Sequence, residues 1–469
     1  MDEIYITTAI PYVNGKPHLG HAIDYLFADV LRRYMILTGK KVRLQVGTDE
    51  HGSKIYKTAQ AQGLATQEFV DQNAKKFADF IHSLGVEYTD FIRTTDPDHE
   101  RRTQEIWRRL SDYIYKANYE GWYCEGCEGF VSEKEYAENH GSCPDHKKPY
   151  TRLSEENYYL RISAFKERIR AAIEADELKI TPAFRKKEFL NLLADMPDVS
   201  ISRPKEQVAW GTTVPGDDSQ VMYVWIDALS NYITVLGYPD NDISDYWPAH
   251  TQIVGKDILR FHAGLWPAIL LGLGLPLPKN LLAHGFITVN GEKMSKSVGN
   301  VVDPNEILAK HGLMAFRYYF LRHASSTDDS DFSWEKYEAA YNELANDLGN
   351  LVQRLATLCK RQSLGQIDVR PVFFHDFDSS MKKYDFSGAF DQIWAVIQLL
   401  NKRIDEKKPW ALAKTNSIAA TEELKYLAGT LLGLCPQLSI FLPDTASAIM
   451  GIFSAPSIEA PETPLFPKN

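Results

Sequence analysis

Cysteine is scarce in this chain, with five in 469 residues. They stand at Cys124, Cys127, Cys143, Cys359 and Cys435, an odd and clustered set. That pattern excludes a secreted disulfide framework and reads as metal binding for the first three. A surplus of positive charge is also missing. Lys and Arg number 52 against 62 Asp and Glu, a formal net charge of -10. Binding of nucleic acid through bulk positive charge is thereby excluded, which leaves local basic patches on an acidic body. Met1 to Thr7 lacks the basic and apolar regions of a signal peptide and enters a strand-like run directly. The longest apolar stretch is read near Leu265 to Leu275, where Pro267 and glycines break it. It falls short of the roughly 20 residues of a membrane helix. A cytoplasmic protein with no membrane partner is the expectation. Internal repeats and low-complexity tracts are absent from the sequence.

What is present is an ordinary globular balance, 44% hydrophobic and 24% charged. The length suggests about three domains. Tyr5 to Thr8 reads as a strand, His21 to Thr38 as a helix, and Val42 to Val46 as the next strand. Strand, helix, strand in this order implies a right-handed crossover and a parallel sheet. The rhythm breaks between 114 and 222, where the cysteine cluster and several prolines mark an insertion. It resumes with strands at Val221 to Trp225 and Thr251 to Val254. From about Ser333 the pattern is helical, with long amphipathic runs over Tyr337 to Cys359 and Phe386 to Glu406. The fold class read is α/β, a doubly wound parallel sheet split by an insertion and followed by a helical bundle. The predicted division is 1–113 and 223–288 for the two halves of the sheet domain and 114–222 for the insertion. A loop region over 289–333 and a helical domain over 334–469 complete it.

Two short motifs carry chemistry. Pro17-His18-Leu19-Gly20-His21 lies between the first strand and its helix. A helix N-terminus offers unpaired N–H groups and a positive dipole end to a phosphate. Two imidazoles add donors that follow developing charge. Lys293-Met294-Ser295-Lys296-Ser297 lies in a loop opened by Asn290-Gly291. Its lysines and hydroxyls suit a polyphosphate clamp that closes on substrate. Cys124-x2-Cys127 and Cys143-x2-His146 give three thiolates and one imidazole, a tetrahedral set suited to Zn²⁺. His140 competes as the fourth ligand. Four protein ligands leave no open position, so the zinc is read as structural. Cys359 and Cys435 fall on apolar helix faces and read as core. Trp225, Ala228, Leu229 and Tyr232 share one helix face, and Ile258, Phe261, His262 and Trp266 share another. Two such faces can enclose a thioether, whose sulfur packs against ring edges.

Together the two motifs resemble the signatures of class I aminoacyl-tRNA synthetases, with His18-Leu19-Gly20-His21 and Lys293 to Ser297 in the family's order. The resemblance sharpens to methionyl-tRNA synthetases on Ala9-Ile10-Pro11-Tyr12, Gly47-Thr48-Asp49-Glu50-His51-Gly52, Tyr223 to Ala228 and Gly255-Lys256-Asp257-Ile258. It spans Ile4 to about Trp410. It implies a Rossmann-type catalytic domain with a zinc knuckle in its connective insertion and a helical anticodon-binding domain. It implies that methionine is activated by ATP, with Mg²⁺ on the phosphates, and passed to tRNA(Met). His18, His21, Lys293 and Lys296 would be catalytic. Gly20, Gly255, Asp257 and Ser295 would join them around ATP. Ala9, Ile10, Tyr12, Asp49 and the two aromatic faces would take methionine, with Asp49 on its ammonium. Asn350, Arg354 and Trp410 would read the anticodon, by hydrogen bonds and by stacking. The end of the chain at residue 469 suggests a monomer.

Overall fold

A computed structural model describes residues 3–124, 129–131, 133–144, 147–294 and 300–467. Its centre is a six-stranded sheet in the order Asp90–Arg93, Lys41–Thr48, Glu3–Thr8, Thr251–Gly255, Asn280–His284, Lys179–Thr181. Every neighbouring pair is parallel. Alternate residues of these strands enter two different cores. Ile6, Ile253 and Leu282 join one, while Tyr5, Val254, Leu281 and Ala283 join the other. That is the two-residue period of a sheet covered on both faces. The order reverses direction between Glu3–Thr8 and Thr251–Gly255. A crevice opens at such a point beyond the carboxyl ends of the strands.

The first helix is Leu19–Leu37, two residues longer at its start than the pattern suggested. Its buried stripe of Leu19, Ile23, Leu26, Phe27, Val30 and Leu31 packs on the sheet. The segment 114–222 is mostly antiparallel. Ile114–Cys124 and Thr151–Leu160 pair along their length, from Ile114 opposite Leu160 to Tyr123 opposite Thr151. The three residues Lys179–Thr181 leave this segment and pair with Asn280–His284 at the edge of the main sheet. The strand read at Val221 to Trp225 is corrected. Asp217–Met222 pairs antiparallel with Ser202–Pro204 and Thr213–Val214, and Val224–Thr234 is a helix. The apolar run over 221–226 serves both elements, so it carried no sign of the break at Tyr223.

The helical region is built on Trp334–Leu344, Asn350–Arg361, Phe386–Lys407, Ser417–Phe441 and Pro443–Phe453. The run expected from Tyr337 to Cys359 is interrupted by a π-helical turn at Ala345–Gly349. Ser417–Phe441 is 25 residues long and apolar enough by length to cross a bilayer, a feature the sequence reading placed elsewhere. Here it is the central helix of the region, with Leu424, Leu427, Leu431, Leu434 and Leu438 buried. Cys359 and Cys435 lie in this core, fully buried as expected. Within 289–333 the chain forms the helix Pro304–Arg322, where a loop region was expected, and a buried ion pair joins that helix to the first one. Asp29 on the first helix meets Arg317 at 2.7 Å, both with no exposed side-chain surface. Arg317 also donates to the carbonyls of Leu84, Ile440 and Phe441.

Candidate active site

The site lies at the carboxyl ends of the central strands. His18 caps the first helix, and its backbone N–H donates to His21 Nδ1 at 3.2 Å. The two rings stack with centroids 3.7 Å apart and 17° between planes. Burial, and then the neighbouring His18, hold His21 well below the usual imidazole range. A neutral His21 whose Nδ1 accepts carries its proton on Nε2, which makes it a hydrogen-bond donor. Phe77 meets the His21 ring edge-on at 5.2 Å. A side chain at Gly20 would press within 3.0 Å of the His18 ring, so the bare backbone keeps the pair compact.

One cleft of about 760 Å³ brings both signatures together. Its walls include His18, Gly20, Lys76, Asp257, Lys293 and Asp303. Lys293 ends the short strand Glu292–Lys293, which pairs with Ile287–Val289. Its ammonium sits 4.9 Å over the Phe286 ring. Gly255 ends its strand, and Asp257 is exposed two residues on. Ser295 and Lys296, the rest of the second signature, lie outside the described residues.

The two aromatic faces read from spacing meet in part. Trp225 stacks on Phe261 at 3.8 Å, and Tyr232 donates its hydroxyl to His262 Nε2 at 2.8 Å. His262 Nδ1 lies 3.0 Å from the Ile258 carbonyl. Burial lowers its pKa to about 4, so the ring is neutral and holds Tyr232 in place. The second face is a π-helical turn, Phe261–Leu265, continued by Trp266–Gly272. The extra residue in that turn explains why Trp266 stands eight rather than seven residues after Ile258. Trp266 and Leu229 are buried behind the aromatic group. The Trp266 indole donates to Gln252 at 3.1 Å, and Leu229 belongs to the adjoining core. Ala228 is buried on the Trp225 helix, and Ala9 and Ile10 are half-buried just past the first strand.

Asp49 is the unusual member. It bridges to Tyr12, its N–H donates to Pro11 at 2.9 Å, and it is 5% exposed. Its Oδ1 has no hydrogen-bond partner among the described residues. Burial, and then the nearby Asp227 charge, push its pKa well up. A buried carboxylate of this kind calls for a cation. Gly52, at φ +122, closes the same turn, and a side chain there would strike the Tyr12 hydroxyl.

Several partners escaped the sequence reading. Glu50 is fully buried and takes two parallel bonds of 2.8 Å from Arg93. His51 Nδ1 lies 2.6 Å from Asp227, which also meets His99 Nε2 at 3.1 Å. His284 Nε2 meets Asp24 at 2.7 Å, one turn beyond His21. The runs containing Glu50, His51 and Asp227 carried the family resemblance, but nothing local ties them to partners dozens of positions away.

At the cysteine cluster, Cys124 and Cys143 are buried together beside Tyr150. Lys147 N–H donates to the Cys143 carbonyl at 2.8 Å. Cys127 and His146 lie outside the described residues. His140 is exposed at the end of a short helix. In the helical region Arg354 and Trp410 line one pocket of about 440 Å³, the guanidinium 5.6 Å from the ring centre. Arg354 also pairs with Asp405 at 2.7 Å. Asn350 is exposed one turn earlier on the same helix.

The family described as tRNA synthetases class I (M) matches residues 4–152 and 145–356. A methionine–tRNA ligase of Caldanaerobacter subterraneus subsp. tengcongensis is 40% identical over 465 residues, spanning 94% of this chain and 72% of that protein. One from Brucella melitensis is 38% identical, over 97% of this chain and 92% of its own. Mycobacterium tuberculosis methionyl-tRNA synthetase in complex with methionyl-adenylate superposes with a TM-score of 0.91 at 34% identity, over all of both chains. The apo form of that enzyme gives 0.83 at 31% identity, over 100% of this chain and 98% of the other.

Proposed function

From the premise that the chain belongs to the class I tRNA synthetases of the methionine type, we infer how its residues divide the work. The reaction is ATP-dependent ligation of methionine to tRNA, through methionyl-adenylate. The observation that carries the assignment of roles is the cleft shared by His18, Gly20, Lys293 and Asp257. Methionine attacks the α-phosphorus of ATP in line, and pyrophosphate leaves. No enzyme nucleophile is required, so catalysis is positioning and charge stabilisation. His21, neutral with a proton on Nε2, and His18 donate to the phosphate as negative charge builds. Lys293, with Lys296 from the same loop, holds the departing pyrophosphate. Gly255 and Asp257 face the ribose, and Gly20 leaves room for the adenine ring. Ser295 adds a hydroxyl to the phosphate clamp. Mg²⁺ bound to the ATP phosphates would neutralise part of their charge.

Methionine lies with its ammonium on Asp49. Its thioether meets Trp225, Phe261 and the neutral Tyr232–His262 pair, with Ala9, Ile10, Tyr12, Ala228 and Ile258 around the chain. Leu229 and Trp266 support that wall from behind. The buried Cys124 and Cys143 fit a thiolate-rich zinc site, completed by Cys127 and His146. Zinc there would staple the insertion and take no part in the chemistry. Asn350, Arg354 and Trp410 take anticodon bases at the 440 Å³ pocket. The protein is proposed to act as a cytoplasmic monomer with no membrane partner. Amino-acid-dependent exchange of pyrophosphate into ATP tests the reaction directly, and sedimentation at one chain mass tests the monomer.

A further inference from the structure

The end of the strand Lys41–Thr48 gathers an unusual concentration of buried charge. Asp49, Glu50 and Asp227 are 5%, 0% and 1% exposed. Glu50 is neutralised by the two-bond contact with Arg93, which also reaches Asp71 at the surface at 2.5 Å. Asp227 projects from the helix Val224–Thr234 and meets His51 Nδ1 at 2.6 Å. The other ring nitrogen of His51 lies 3.5 Å from Glu100, on the helix Pro97–Arg109. Two carboxylates facing both nitrogens require both to carry protons. The opposite Asp227 oxygen meets His99 Nε2 at 3.1 Å and Thr212 at 3.4 Å. His99 Nδ1 is in turn 2.7 Å from the Thr234 hydroxyl. The Trp210 ring covers His51 from one side at 5.9 Å.

The buried charges therefore do not cancel. Three carboxylates face two cations, Arg93 and His51, and the one left over is Asp49. That is the group proposed to receive the substrate ammonium. We propose that His51 is a positioning residue for the amino-acid substrate, whose cation, clamped by Asp227, keeps Asp49 ionised and ready for the ammonium. The inference rests on the reading of Asp49 above. Asp227 has a second effect through the same contact. It stands two residues after Trp225, and His51 stands two residues after Asp49. The pair thus fastens the ammonium site to the aromatic wall across 176 positions of sequence.

The charges that act on Asp49 agree with this. Burial raises its pKa most, Asp227 and Glu50 add to that rise, and His51 opposes it through its ring and its backbone amide. Asp227 itself is pulled down and His51 is pulled up, each by the other. Removing the His51 cation leaves Asp49 beside an uncompensated Asp227. Its proton would then be held to higher pH, and methionine binding would weaken as pH falls.

The test is calorimetric methionine binding from pH 5 to 8 in the full chain and in two variants. His51→Gln is expected to move the acid limb to higher pH, with binding about tenfold weaker on that limb for each unit moved. His51→Gln combined with Asp227→Asn removes both charges and is expected to bring the limb back toward the native position. A second measurement needs no variant to fold. Nitrogen-15 spectra of labelled histidines in the native protein should show one imidazole protonated on both nitrogens at pH 7.5. An unmoved limb in His51→Gln, or no charged buried imidazole in the native protein, overturns the proposal. Either result, obtained while the native protein exchanges pyrophosphate with methionine, sinks this inference alone. Failure to bind methionine at all sinks the reading of Asp49 with it.

Discussion

His21, half-buried, and His262, buried, are both imidazoles held neutral, yet they serve in opposite senses. His21 accepts at Nδ1 from the His18 backbone and keeps a proton to give. His262 is in contact at Nδ1 with the Ile258 carbonyl and accepts at Nε2 from Tyr232. Loss of one preorganised donor costs on the order of 10²–10³ in rate. His21→Ala is therefore expected to slow adenylate formation by about that range while methionine affinity is little changed. Single-turnover quench kinetics check this, and a native rate would remove His21 from the chemistry. Tyr232→Phe leaves the buried His262 nitrogen without its donor, a cost of about 1–3 kcal/mol. Methionine affinity should fall and the rate at saturation should hold, as measured by steady-state kinetics. His262 also couples folding to pH. Its folded pKa of about 4 lies below the 6.5 of the free imidazole, so the unfolded chain binds the extra proton. Its contribution to stability is present above pH 6.5 and is lost as pH falls toward 4, which melting curves across that window would show. At this scale the sequence was legible where chemistry is contiguous. His18 and His21, or Lys293 and its loop, sit within a few positions. The contacts His51–Asp227, Glu50–Arg93 and Asp24–His284 span 176, 43 and 260 positions and leave no local trace.

The helix Leu19–Leu37 does two jobs with two of its faces. Its first turn presents the imidazoles, and Asp29 in its middle grips Arg317 in full burial. Asp29 also takes Arg33 at 2.8 Å from one turn on. Breaking one side of a buried pair leaves a charge with no compensation, typically at about 3–5 kcal/mol. Asp29→Ala should lower the urea midpoint accordingly, and replacing both Asp29 and Arg317 by leucine should recover much of the loss. Equal damage from the single and double replacements would show that packing, not charge, decides the site. Helices of strong period were legible in the sequence, including this one and Phe386–Lys407. The strand Lys179–Thr181 was not, because three residues carry too little pattern to be told from a loop. The π turns at Phe261–Leu265 and Ala345–Gly349 were also hidden, since one added residue leaves the apolar spacing nearly intact. The long apolar helix Ser417–Phe441 was overlooked for a different reason. Its charged residues, Glu422, Glu423 and Lys425, sit near its start, and Thr430, Pro436 and Gln437 interrupt the apolar remainder.

For the whole molecule, one continuous core runs from the sheet into the helical region, through Phe27, Phe316, Phe320, Phe390 and Phe441. The cleft between His18 and Lys293 and the Arg354–Trp410 pocket thus belong to a chain with one core shared between sheet and helices. Binding of tRNA by an acidic protein must rest on local cations and should weaken as salt rises. Many basic side chains are already spoken for. Arg185, Lys186, Lys360, Lys402 and Arg403 pair with Glu188, Asp176, Glu459, Glu406 and Glu423. A shallow slope of log affinity against log salt is therefore expected, and filter binding between 50 and 200 mM salt, on the order used for such slopes, would measure it. The measurement that reaches furthest is exchange of labelled pyrophosphate into ATP with each of the twenty amino acids in turn. Exchange with methionine alone is the expected result, because the chain belongs to the methionine-type class I tRNA synthetases and its aromatic faces are proposed to take the thioether. Exchange with another amino acid, or with none, would contradict the account at its centre.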